Sequence, residues 1–170
     1  MNIELGAGCG DFVKLYFPEC CLTDNDIGLR ESCQKELDVS CSADCFCDAG
    51  SLPFSENSFA RVIICNPYKY GFKKPDQAEI LLNELIRILK KDSLIIIIGH
   101  EKNPYCAPQR VEKRIGEISL LTKADISFSV EDIDAEEFYP GYSFRRIEGK
   151  RKTVPNRRMT LNVRKQTHNK

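Results

Sequence analysis

The chain has 170 residues, of which 42% are hydrophobic and 29% charged, with a formal net charge of zero. That length fits one domain with a full core, and the composition is ordinary for a globular protein. The longest strongly apolar run, near Leu94 to Gly99, is far too short to span a bilayer, and the N-terminus reads as a buried strand rather than a secretory signal. Nine cysteines, an odd number, with Cys20, Cys21, Cys47 and Cys65 inside apolar stretches, predict free thiols and a cytoplasmic location.

In chain order, Asn2 to Leu5 reads as a strand and Gly10 to Tyr16 as a helix. Cys20 to Thr23 is a second apolar run that ends in acid. Ile27 to Leu37 has helical spacing, with Asp26 as N-cap. The stretch CFC before Asp48 predicts a third strand, and Arg61 to Cys65 a fourth. Asp76 to Lys91 is the clearest helix, because Ile80, Leu81, Leu85, Ile88 and Leu89 recur at three- and four-residue spacing. Leu94 to Ile98 predicts a strand buried on both faces, as in a parallel sheet. Beyond His100, helices are expected over Pro108–Glu117 and Glu131–Phe138, then strands over Ser143–Ile147 and Met159–Val163. The alternation predicts a doubly wound α/β sheet. Residues 1–170 read as one domain, with a basic C-terminal hairpin and tail over 145–170.

The first strand runs directly into three glycines, Gly6, Gly8 and Gly10, in the pattern E-x-G-x-G-x-G from Glu4. A strand, a glycine turn and a helix at a first crossover form a nucleotide site, since glycine lets the backbone approach a ligand closely. The dinucleotide pattern G-x-G-x-x-G is not met: Asp11 or Val13 stands where its last glycine belongs. The second strand ends in Asp24, which can accept hydrogen bonds from both hydroxyls of a ribose. Asp26 is its local rival, or a helix cap. Asp48, after the third strand, can accept from an adenine amino group, with Leu52 and Phe54 as apolar surface nearby. Read blandly, the glycines make a tight turn and both acids start turns.

These stretches resemble class I S-adenosylmethionine-dependent methyltransferases. ELGAGCG is similar to that family's first motif, Asp24 to its second, and DAGSLPFSENSFARVI to its third and the strand after it. The third stretch is worded like methyltransferases of quinone biosynthesis and their small-molecule relatives. The resemblance covers about Asn2 to His100. It implies a Rossmann-like, mostly parallel sheet with an antiparallel last strand, and S-adenosyl-L-methionine as cofactor. It also implies roles: Gly6, Gly8 and Gly10 pass the methionine part, Glu4 supports the turn, Asp24 holds the ribose, Asp48 and Ala49 hold the adenine, and Asn66 lies nearest the transferred methyl group. Methyl transfer from an activated donor depends on positioning, so no general base is demanded.

NPYKYGF, from Asn66, partly resembles the N-P-P-Y motif of enzymes that methylate exocyclic amines, where the aromatic ring stacks on the acceptor. Here one proline is missing and Tyr68 moves up by one. Asn66 and Tyr68 are the candidate catalytic residues, with Tyr70 and Phe72 as further stacking surface. The acceptor is less legible. From Arg145 to Lys170 there are ten Lys or Arg and one acid, Glu148. In the family's fold the penultimate strand is parallel to the others, so the loop after it emerges on the cofactor face. That expectation places Lys150, Arg151, Lys152, Arg157 and Arg158 beside the acceptor site, suited to a nucleic acid or another polyanion. A solvated basic tail is the alternative.

Cys41, Cys45 and Cys47 lack metal-site spacing and a nearby histidine, so no metal is expected. His100 either closes the fifth strand or reaches the site as a base. Relatives carry helices before the first motif that cover the cofactor, whereas the motif stands at the first residues of this sequence. The expected cover is therefore the segment Lys102 to Leu121 or the second subunit of a homodimer. Two other functions stay open: a methyltransferase-like binding module without catalysis, and a small-molecule methyltransferase.

Overall fold

The computed structural model describes residues 1–8, 10, 12–32, 34–35, 41–119, 124–134, 137 and 154–165. Seven strands form one sheet: β1 (Asn2–Leu5), β2 (Cys20–Asp24), β3 (Cys45–Phe46), β4 (Phe59–Cys65), β5 (Leu89–Gly99), β6 (Ala124–Asp132) and β7 (Arg157–Lys165). Their order is β3-β2-β1-β4-β5-β7-β6. The first five run parallel, and β7 is antiparallel to both β5 and β6. The α/β class, the parallel body and the antiparallel last strand are as expected. Three helices are described: α1 (Leu29–Ser32), α2 (Pro75–Ile88) and α3 (Pro108–Ser119).

The centre of the sheet, β1, β4 and β5, is covered on both sides, which explains its unbroken apolar runs. Ile3, Val62, Ile95 and Leu161 pack in one cluster with α2 and α3 through Leu82, Leu85, Val111 and Ile115. The opposite cluster joins Leu22, Ile63 and Ile98 to Phe12 and Val13. No helix among the described residues is long and apolar enough to cross a membrane.

Several local expectations are corrected. Phe12–Leu15 is a single 3-10 turn rather than part of a helix over Gly10–Tyr16. The described α-helix after β2 is Leu29–Ser32, and residues 36–40 lie outside the described set. Helix α2 stops at Ile88, because Leu89 is already extended and pairs with Phe59, so Leu89–Lys91 belong to β5. Glu131 and Asp132 close strand β6 instead of opening a helix. Ile126, Phe128 and Val130 alternate with polar residues there, a period of two that serves one face of a strand. The strand expected over Ser143–Ile147 falls outside the described residues, as do Lys150, Arg151 and Lys152.

Arg157 and Arg158 are also corrected: they are the first residues of β7, not of a free loop. Arg157 bridges Asp132 at 2.6 Å and Glu101 at 3.0 Å, and Arg158 pairs with Glu131. The topology around them is as expected. Gly99 pairs with Arg157, and Arg157 with Asp132, so the connection from β6 to β7 leaves and returns at the carboxyl end of the parallel strands.

One clamp fixes the loop between β3 and β4. Arg87 on α2 donates to the Leu52 and Phe54 carbonyls at 2.9 and 2.8 Å and to both oxygens of Glu84. Glu84 in turn accepts from the Leu52 amide at 2.6 Å.

Candidate functional site

In open α/β sheets, ligands sit outside the carboxyl ends of the strands. Here the ends of β1, β2 and β3 enclose a cleft of about 190 Å³, lined by Gly6, Asp24, Asp48, Ala49, Tyr70 and Ile80 among others. The glycine turn closes it from below. The Ala7 amide donates to the Thr23 carbonyl and the Gly8 amide to Asp24 Oδ2, both at 2.9 Å. The Gly10 amide donates back to the Ala7 carbonyl at 3.2 Å. Gly6 has φ +65°, and a Cβ there would overlap the Tyr70 ring and hydroxyl. Only glycine meets both conditions.

Beneath the turn, Glu4 is 2% exposed on β1, and its carbonyl accepts from the Thr23 hydroxyl at 2.9 Å. Asp24 Oδ1 takes the Asp26 amide at 2.9 Å, so the carboxylate holds two turns at once. Each oxygen keeps a further lone pair for a ligand hydroxyl. Asp26 instead makes a local turn ahead of α1, accepting from the Gly28 amide at 2.9 Å, so it is not the N-cap expected of a helix starting at Ile27. Asp48 Oδ1 accepts from the Gly50 amide at 2.6 Å.

Tyr70 is the residue that sequence reasoning underrated. Its hydroxyl donates to the Leu5 carbonyl at 2.6 Å, across the glycine turn. Burial, then the charges of Glu4 and Asp24, push its pKa well above the usual tyrosine range, so it stays a neutral donor. The contact joins residues 65 apart in sequence, and the only sequence signal was the aromatic spacing of NPYKYGF. Gln77, Ile80 and Leu81, contributed by α2, had no signal in the sequence.

Other expected residues lie around the cleft without lining it. Glu4, Gly8 and Gly10 support the turn, and Asn66 and Tyr68 stand at the end of β4. Asn66 adopts φ 46°, a conformation that asparagine tolerates, and its amide donates to the Ile98 carbonyl at 2.8 Å. Its side-chain oxygen lies beside Gly99. Tyr68 is 60% exposed and directly precedes Lys69, which lines the cleft. His100 closes the turn after β5, its Nδ1 accepting from the Lys102 amide at 3.1 Å. From the segment expected as cover, no described residue lines the cleft; Tyr105 approaches it only through Gly71.

The seven cysteines among the described residues are all free. Burial pushes the thiols of Cys20, Cys47 and Cys106 up to about 12, so they stay protonated near neutral pH and are poor nucleophiles. Among the described residues no group of three His, Cys, Asp or Glu side chains is arranged to hold a metal ion.

The residues present fit the nucleoside end of S-adenosyl-L-methionine. Two carboxylates at neighbouring strand ends suit ribose hydroxyls and an amino group, and Ala49, Ile80 and Leu81 form an apolar wall for a flat ring. Gly6 supplies the close backbone approach.

No known protein-family profile matches the chain, and no curated protein is similar to it. Solved structures are. A SAM-dependent methyltransferase structure from Methanosarcina mazei is 14% identical, with 98% of this chain and 92% of that one covered at a TM-score of 0.55. The N-methyltransferase NodS from Bradyrhizobium japonicum is 13% identical, with 97% and 85% covered at 0.56. A chain from the complex between the Haloferax volcanii Trm112 methyltransferase activator and a candidate methyltransferase is 13% identical, with 99% and 83% covered at 0.59. At these identities the likeness is one of fold.

Proposed function

We propose that this chain, which has the fold of class I S-adenosylmethionine-dependent methyltransferases, binds S-adenosyl-L-methionine in the cleft of β1 to β3 and catalyses methyl transfer. The observation that carries this reading is the glycine turn bonded to Asp24, with Asp48 lining the same cleft. When bound, the cofactor supplies a methyl group already activated on a sulfonium. The chain's own residues hold and orient: Asp24 takes the ribose, Asp48 and Ala49 the adenine, and the Gly6–Gly10 turn the methionine part. Asn66 and Tyr68 stand where an acceptor enters. We read that acceptor as a nucleic acid or another polyanion, with Lys150, Arg151 and Lys152 as candidate contacts.

Isothermal titration with S-adenosylhomocysteine tests the cofactor. Micromolar binding, with a raised melting temperature by linkage, is the expected outcome, and Asp24→Ala should remove most of both. No binding by the wild type ends this reading. Sedimentation in the same samples tests the homodimer expected to cover the cleft, and a monomer throughout removes it.

One observation favours a second reading, a binding module without catalysis. The cleft of about 190 Å³ is smaller than the ~300–1,000 Å³ of most small-molecule sites, and Tyr70 closes it over Gly6. Cofactor binding without turnover on RNA, DNA or a metabolite pool supports that module.

A further inference from the structure

The loop after β4 and the turn before α3 meet on the rim of the cleft, and the core uses neither surface. Tyr68 and Tyr105 pack there edge to face, with ring centroids 5.8 Å apart and planes at 70°. The Lys69 ammonium lies 5.7 Å from the Tyr68 ring centre, and that of Lys73 lies 5.2 Å from the Tyr105 ring centre. Arg110, in the first turn of α3, reaches the Lys73 carbonyl at 3.5 Å. Lys69, Lys73 and Arg110 are exposed. No carboxylate among the described residues is within ion-pair distance of any of the three.

The ledge is built rather than incidental. Asn103 donates to the Pro67 carbonyl at 3.1 Å, and the Phe72 amide to the Tyr105 carbonyl at 2.7 Å, so the two loops are fixed to each other. Gly71, at φ +109°, lies against that same Tyr105 carbonyl, where a side chain would collide. Lys69 also lines the cofactor cleft, so the ledge is continuous with it.

We propose that this ledge binds single-stranded nucleic acid, with one base stacked on Tyr105 and the adjoining phosphates held by Lys73 and Arg110. Tyr68 is exposed and Tyr105 half-buried, and cations interleaved with accessible aromatic rings are what such a strand requires. A base stacks on a ring more strongly than an exposed lysine sits over it, so the base displaces the ammonium of Lys73 toward a phosphate. The 70° between the rings excludes a continuous stack across both. The strand therefore kinks between Tyr105 and Tyr68, and the nucleotide beyond the kink is presented unstacked at the cleft mouth. A duplex cannot make that turn, and a polyanion without rings, such as polyglutamate, cannot stack on Tyr105. The identity of the presented nucleotide as methyl acceptor rests on the function proposed above, but binding to the ledge does not require it.

The test is fluorescence anisotropy with a short labelled single-stranded RNA and its DNA counterpart, titrated across salt. Lys73→Ala with Arg110→Ala should weaken binding about tenfold and flatten the salt slope by about 1.4, two contacts at about 0.7 each. Tyr105→Leu should weaken binding about tenfold with the slope unchanged. Lys90→Ala with Lys91→Ala, at the opposite end of β5, should change neither. Titration with S-adenosylhomocysteine, unaltered in every variant, verifies that each is folded and separates this proposal from the cofactor reading. Wild type that ignores both polymers at low salt overturns the proposal. So does an unchanged slope in the double variant, an equal loss in the Lys90 and Lys91 control, or polyglutamate competing as well as RNA.

Discussion

Two cationic regions flank the carboxyl end of the sheet, and they are used in opposite ways. At the start of β7, Arg157 and Arg158 are matched to Glu101, Asp132 and Glu131. On the Tyr68–Tyr105 ledge, Lys69, Lys73 and Arg110 lie against aromatic rings and a carbonyl, without carboxylates among the described residues. A count along the sequence favours the first region, whereas the geometry favours the second. Charge that stitches strands together is spent on stability, and charge left over rings is available to a ligand.

That contrast can be broken by mutation. The largest stability loss is expected at a third matched cation, Arg87→Ala. It strands the Leu52 and Phe54 carbonyls and Glu84, and should lose about 2–3 kcal/mol, a fall of roughly 4–12 °C in melting temperature. The same clamp gives a pH test. Arg87, by its hydrogen bonds, holds the Glu84 carboxyl below the usual glutamate range. A depressed folded value stabilises above the unfolded one and is lost as pH falls through the folded one. Glu84→Gln should therefore be less stable than wild type near neutrality, and the gap should narrow on acidification below about pH 4. A gap constant with pH would refute the ionic contribution.

Smaller effects follow at the sheet edge. Arg157→Ala should lose about 1 kcal/mol in chemical denaturation, since it joins β6, β7 and the turn after β5 through two exposed carboxylates. Arg158→Ala, which loses its pair with the exposed Glu131, should lose under about 1 kcal/mol. Neither should alter the salt slope of nucleic-acid binding. A flattened slope in Arg158→Ala would move the acceptor contacts back to the strand and erase the contrast.

The parallel half of the sheet was legible because each strand is a short apolar run bounded by turn residues. RVIIC and LIIII need no context to read as buried strands, and Gly6, Asp24 and Asp48, picked out by the same punctuation, line one cleft at the strand ends. The distal half was harder. Strand β6 hides its period of two among Asp125, Ser127, Ser129 and Glu131, because its outward residues face solvent. The last residues of a helical run are equally ambiguous: Leu89 continues the apolar spacing of α2 yet is bonded to Phe59 as strand. Tyr70 and Tyr105 acquire their roles only through contacts with Leu5, Gly71 and Tyr68, which no local pattern encodes. Pairing of charges is likewise invisible along the chain, which is why Arg157 looked free.

The segment from Asn66 to Phe72 is pinned at four points: the Asn66 amide to Ile98, the Pro67 carbonyl to the Asn103 side chain, the Tyr70 hydroxyl to Leu5 and the Phe72 amide to Tyr105. Its consequence is one of conformational entropy. Fixing a residue's backbone costs about 1–2 kcal/mol, and in this segment that ordering is completed during folding. A ligand arriving at Tyr68 meets a ring carried on an already rigid span and need immobilise little more than the side chain itself. Preorganisation of this kind lets a shallow, solvent-facing ledge hold a flexible strand that a looser loop would release.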